Sequence, residues 1–157
     1  MRRSAISLFA AIAVAAGAGT ATASSHGDDD KAEKMVEYRK AVFTVMAHNL
    51  HPLGGMVKGK MPYDPETFAR KADNIAAVAP MAMSGFRMQA TADAADTEAK
   101  AAIWDNRDDF KDKMQDMVDA ADRLAAAEPG DSAAAMKKQV KALADTCENC
   151  HDDYKED

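Results

Sequence analysis

Met136, Val140, Leu143, Cys147, Cys150 and Tyr154 follow one another at 4-3-4-3-4 spacing without a break. That spacing lines all six side chains along one side of a helix. The two cysteines therefore belong to a buried seam and not to an exposed loop. They are the only cysteines in 157 residues, and His151 directly follows the second. C-x-x-C-H is the attachment pattern of a c-type haem. Two thiols add across the two vinyl groups, and the next residue offers an imidazole to the iron. On a helix, Cys147 and Cys150 share a face and His151 stands one turn above Cys147. All three then address one edge and the centre of a single macrocycle.

Three other uses of this pattern compete. Structural zinc takes four ligands; here there are three, two of them adjacent in sequence, and no second C-x-x-C or H-x-x-x-H pair completes a set. A thioredoxin-type redox pair opens a helix after a strand, whereas this one closes a helix in a chain with no alternating strand pattern. A disulfide between the two would close a very small loop inside a helix. Haem attachment is the reading that uses every residue of the motif.

The N-terminus agrees with it. Arg2-Arg3 precede an apolar run from Leu8 to Ala16, and Ala21-Thr22-Ala23 is an A-x-A cleavage site. Residues 1–23 read as a signal peptide for the general secretory route, cleaved after Ala23. The run is too short and too alanine-rich for a good membrane span. Haem is attached to c-type cytochromes after export, so a bacterial periplasm is expected, with no membrane span in the mature chain. Removing 23 residues leaves 134, one domain's worth. Arg2 and Arg3 are the only charges lost, so 18 basic residues face 26 acidic ones. This acidic balance, without a basic stripe, argues against nucleic acid and anionic membranes as partners.

Only 6% of residues are aromatic, while alanine and methionine dominate the apolar set. That composition favours helices, and a haem in the core would supply missing aromatic bulk. Residues 24–30 read as a flexible, acidic leader, and residues 31–157 as the folded domain. A first helix is expected over about residues 31–57, with Met35, Val42, Met46, Asn49 and Leu53 inward. Pro52 and Gly54-Gly55 should loosen its last turns. A second helix starts at the Asp64 cap and Pro65 and runs to Pro80. Residues 81–96 are ambiguous, Gly85 arguing against one continuous helix. A third helix is expected over about 98–127, where Ile103, Phe110, Met117 and Leu124 repeat every seven residues, with Arg107, Met114 and Ala121 between them. A fourth, capped by Asp131, reaches about residue 155. The expected fold is all-α: an antiparallel, up-down-up-down four-helix bundle with covalent haem near the C-terminus.

Four segments resemble the class II c-type cytochromes, the cytochrome c′ family. They are Tyr38-Arg39-Lys40-Ala41-Val42-Phe43-Thr44-Val45-Met46, Val57-Lys58-Gly59-Lys60-Met61-Pro62-Tyr63-Asp64, Ile103-Trp104 with Phe110, and Cys147-Glu148-Asn149-Cys150-His151-Asp152-Asp153-Tyr154. The similarity spans about residues 31–155; class I cytochromes c instead carry their motif near the N-terminus. The resemblance implies thioethers at Cys147 and Cys150, His151 as proximal iron ligand, and Arg39 near a haem propionate. Phe43 takes the position facing the distal side of the iron. Low-spin members have a ligating methionine there, and five-coordinate members a non-ligating residue. Lys155 stands where several members have arginine, which keeps the charge but loses the fork geometry. Trp104 is expected to pack against haem or core, and His48 and His51 to lie off the Phe43 face, on the surface or at the helix end.

The resemblance implies one haem c with a five-coordinate iron, passing an electron to a redox partner protein or binding NO or CO, in a homodimer joined through the first helices. A second reading is a six-coordinate low-spin electron carrier with Met46 or a histidine as sixth ligand. A third is a non-haem metal-binding helical bundle. The sequence shows no paired catalytic carboxylates, Ser/His/Asp set or phosphate loop, so no enzyme activity is expected.

Overall fold

The computed structural model describes residues 25–92, 94, 96–127 and 132–156. The expected signal peptide and the Asp131 cap lie outside them. Four long helices form the molecule: α1 (Ser25–Val57), α2 (Pro65–Val78), α4 (Arg107–Ala125) and α5 (Ala133–Tyr154). A short α3 (Ala102–Asp105) precedes α4. Two 3₁₀ segments, Ala79–Phe86 and Gln89–Ala92, lead from α2 towards it. The antiparallel four-helix bundle expected from the sequence is the observed fold, with no strand among the described residues.

Local chemistry explains several boundaries. Asp64 is extended and accepts a hydrogen bond from the Thr67 backbone N–H, with Pro65 at the first helical position. That bond holds the Asp64 carboxyl below its usual range. Ser132 caps α5 by accepting from Ala135 N–H, one residue later than the cap expected at Asp131. α1 runs through Pro52 and Gly54-Gly55 to Val57. It ends where Gly59 takes φ +68°, a left-handed conformation suited to glycine. Its start lies at Ser25, within the segment expected to be a flexible leader.

The expected third helix is the main correction. It does not begin at residue 98 and it is not continuous. Residues 98–100 run beside the chain's end: Lys100 N–H donates to Tyr154 O, Glu156 N–H donates to Glu98 O, and Ala99 bridges Lys155. Pairing with the C-terminus replaces the first helical turn. At Asn106 (φ −114°, ψ 49°) the backbone leaves the helical region, and the Asn106 amide folds back onto Ala102 O. The helix restarts at Arg107.

The core follows the expected stripes with few exceptions. Ile103, Phe110, Met114, Met117, Ala121 and Leu124 are buried on one side, and Met136, Val140, Leu143 and Tyr154 on the other. On α1 the buried set is Ala32, Val36, Arg39, Val42, Met46, Asn49, Leu53 and Met56, so Val36 takes the place expected for Met35. Asn49 is held there by its own bond to Val45 O and by Asn74 of α2, whose amide donates to it. Arg39 is the one charged member of this stripe. Gly85 allows it: a Cβ on Gly85 would stand 3.2 Å from the Arg39 Cα, and closer still to its Cβ. The residue that argued against a helix over 81–96 thus marks a close approach of two segments.

Candidate functional site

A cavity of about 550 Å³ opens between α1 and α5, within the range of cofactor sites. α5 contributes Cys147, Cys150 and His151 to one wall, and α1 contributes Phe43 and Met46 to another. The lining also includes Arg39 and residues 96–99. The α5 seam explains the cysteines. Leu143 and Tyr154 on the same side are buried at the cavity's edges, and the cysteines between them are half-buried on its wall. Both are free thiols. Burial pushes the Cys147 thiol up and the Cys150 thiol up to about 11, against the opposing pull of Lys113. His151 is exposed at the cavity wall, and burial of part of its ring, then Lys155, lowers its basicity. Its imidazole is neutral near neutral pH, with a nitrogen lone pair free.

Arg39 is 5% exposed, and its guanidinium has only neutral partners among the described residues. It donates to Gly85 O, to the Thr91 hydroxyl and to the Thr97 hydroxyl, and its Cζ lies 4.6 Å from the centre of the Phe86 ring. Burial lowers its pKa. A desolvated cation costs several kcal/mol unless an anion meets it. The wall that holds it therefore suits an anionic group in the cavity. Lys40, one residue on, is exposed and paired with Asp96.

Four aromatic rings run through the site from α1 to α5. Phe43 meets Phe86 edge-on at 6.2 Å, Phe86 meets Phe110 at 4.8 Å, and Phe110 meets Tyr154 at 5.2 Å. The Tyr154 hydroxyl donates to Asp109. Burial and that carboxylate push its pKa up to about 12.

Every residue assigned to the site from sequence lines this cavity: Cys147, Cys150, His151, Arg39 and Phe43. Met46 lines it too, from a buried position. His51 was expected away from it, yet stands on its lining while remaining exposed; His48 is exposed and not part of the lining. The reason is length: the cavity extends along α1 as far as His51, two turns past Phe43. Trp104 packs on the core and does not line the cavity. Phe86, Thr91 and Thr97 were missed. They fall in or beside the ambiguous segment, and no periodicity marks them.

The residues present fit a haem. A thiol pair and an imidazole share one helical wall, a buried cation has only neutral partners among the described residues, and the remaining wall is largely apolar. Among the described residues no group of three or more His, Cys, Asp and Glu side chains is placed to hold a bare metal ion. The sequence matches the family model for cytochrome c′ over residues 34–155. The chain belongs to the cytochrome c′ family. Cytochrome c-554 of Cereibacter sphaeroides is 36% identical over 131 residues, covering 82% of this chain and 85% of that protein. The structure of cytochrome c prime from Shewanella frigidimarina superposes with a TM-score of 0.76 at 38% identity, covering 80% of this chain and 97% of that one. A nitric oxide complex of a variant cytochrome c prime from Alcaligenes xylosoxidans gives 0.72 at 25% identity, covering 80% and 97%. This cytochrome c′-family chain is accordingly a c-type haem cytochrome whose cofactor is covalent haem c with iron. Among the described residues no helix is long and apolar enough to cross a membrane.

Proposed function

We propose that this chain is a periplasmic, five-coordinate cytochrome c′ that carries one electron and binds a diatomic gas, exported by a signal peptide cleaved after Ala23. Cys147 and Cys150 would hold the haem through thioethers formed by adding each S–H across a vinyl group, His151 would offer its free nitrogen to the iron, and Arg39 would meet a propionate. The haem supplies the redox change and the gas-binding iron; the protein orients it, excludes water and sets the ligand number. One observation carries the reading: the α1 wall of the cavity presents Phe43, which has no lone pair to donate. Nothing in the site resembles a catalytic acid–base or nucleophile set, so no enzymatic reaction is assigned. A nitric oxide complex of a relative supports gas as the ligand class. An optical spectrum tests the proposal. The ferric protein should be predominantly high-spin near neutral pH, and the ferrous protein should take up added CO or NO with a shifted Soret band. A low-spin ferric spectrum and no response to either gas would favour the six-coordinate carrier, with Met46 or His51 as sixth ligand.

The proposal includes a homodimer. Tyr38, Ala41, Val45 and His48 form an exposed 3-4-3 stripe on the outer face of α1. Tyr38 is 39% and Val45 44% exposed, and beside them Met81 is 50% exposed, its carbonyl accepting from the Tyr38 hydroxyl. A second α1 laid against this stripe would cover it. Val45→Glu places a charge on the seam of both protomers and is expected to give a monomer at concentrations where the unaltered protein sediments as a dimer. Equal sedimentation of the two proteins would place the dimer interface elsewhere.

A further inference from the structure

Met114 of α4 lines the haem cavity and also a second cleft, of about 450 Å³, between the Ala79–Phe86 segment and α4. Pro80, Met83 and Val118 form apolar walls of this cleft, and the exposed Lys111 and Gln115 stand at its rim. Met114 is 5% exposed and, among the described residues, is the one common to both linings. We infer that the cleft is an antechamber for an apolar diatomic ligand and that the Met114 side chain is the gate from it into the haem cavity. This rests on the gas-binding reading above.

Position and polarity carry the argument. Met83 lies one 3₁₀ turn before Phe86, and Met114 one α-helical turn after Phe110. The cleft is therefore one turn out from the Phe86–Phe110 contact at 4.8 Å. Phe86 in turn meets the Phe43 ring. A ligand passing Met114 thus arrives beside the Phe86–Phe110 contact, which joins Phe43 of α1 at one end and Tyr154 of α5 at the other. The other approach, through the cavity's mouth, passes the ion pairs Lys40–Asp96 and Lys155–Glu98. An uncharged two-atom gas partitions into apolar surroundings more readily than past paired charges, and Pro80, Met83 and Val118 supply them. Methionine suits a gate because its three rotatable bonds let the side chain swing without moving the helix.

Flash photolysis of the ferrous CO complex of the intact holoprotein tests the route. Val118→Trp fills the cleft from a position outside the haem cavity, and Gln115→Trp covers its rim from an exposed one, so at least one folded variant is expected. Each should slow bimolecular CO rebinding about tenfold, the effect of about 1.4 kcal/mol added to the entry barrier. Met114→Ala should speed it, and the absorption spectra of the two tryptophan variants should stay as in the unaltered protein. Xenon applied under pressure to crystals should occupy the cleft and be displaced in Val118→Trp. Unchanged rebinding in both tryptophan variants, or slowing only when Ala47→Trp narrows the cavity's mouth, overturns the gate while leaving the gas-binding reading intact. An unaltered ferrous protein that takes up no CO overturns that reading and the gate with it.

Discussion

Cys147→Ser combined with Cys150→Ser should leave a chain that carries no covalent haem. No other cysteine exists to form a thioether. Mass spectrometry of the denatured chain, expressed with its haem-attachment machinery, should read the protein mass alone. Each single variant should keep haem on the remaining sulfur in reduced yield. Haem that stays with the denatured double variant would overturn the assignment of both cysteines. The folded state should suffer as well. Haem in this cavity of about 550 Å³, with its largely apolar lining, would remove apolar surface from water, and a haem-free chain forgoes that burial. An ordinary domain has only about 5–15 kcal/mol of stability to lose. Arg39 would also keep its buried charge without the propionate proposed to meet it. The haem-free double variant should therefore be loosely packed, with strong far-ultraviolet and weak near-ultraviolet dichroism. A sharply cooperative melt near that of the haem-bearing protein would show that the bundle packs without its cofactor.

The parts of this architecture legible in the sequence are those fixed by neighbours along the chain. The α5 seam is a matter of residue spacing, and the structure keeps Met136, Val140, Leu143, Cys147, Cys150 and Tyr154 on one side. Asp64-Pro65 starts α2 through bonds within a single turn. The parts that escaped are decided by segments far apart in sequence. Residues 98–100 pair with residues 154–156 instead of opening a helix, and nothing within either stretch announces the other. Gly85 looks like a helix breaker, yet its role is set by Arg39, 46 residues earlier. Arg39 itself falls in register with the apolar stripe of α1. The resemblance to the cytochrome c′ family singled it out, but only the carbonyl, the two hydroxyls and the ring around it show a buried cation whose partners among the described residues are neutral. For the same reason Phe86 was not legible. It lies in a 3₁₀ segment too short for a helical period to emerge, although it is the ring that joins Phe43 to Phe110.

Phe43→Met should convert a predominantly high-spin ferric iron into a predominantly six-coordinate, low-spin one. Phe43 stands half-buried on the α1 wall of the cavity, and His151 faces the same cavity from α5. Methionine at this position sets a thioether at the same height on the helix, with three rotatable bonds to bring its lone pair to the metal. The substitution gives up the edge contact with Phe86, worth about 0.5–1.5 kcal/mol. That loss is small beside a new metal–sulfur bond, so the ligated state should dominate. A methionine-to-iron charge-transfer band should appear in the ferric spectrum. Carbon monoxide should bind the ferrous variant more weakly, because it must first displace sulfur. Phe43→Leu separates ligation from bulk: it removes the ring, adds no donor, and should stay high-spin and bind the gas. An unaltered protein already low-spin, with that same band, would instead give the sixth position to Met46, which lines the cavity one turn further along α1. The chain would then be an electron carrier whose iron is closed to gas, and Phe43 a core aromatic beside it.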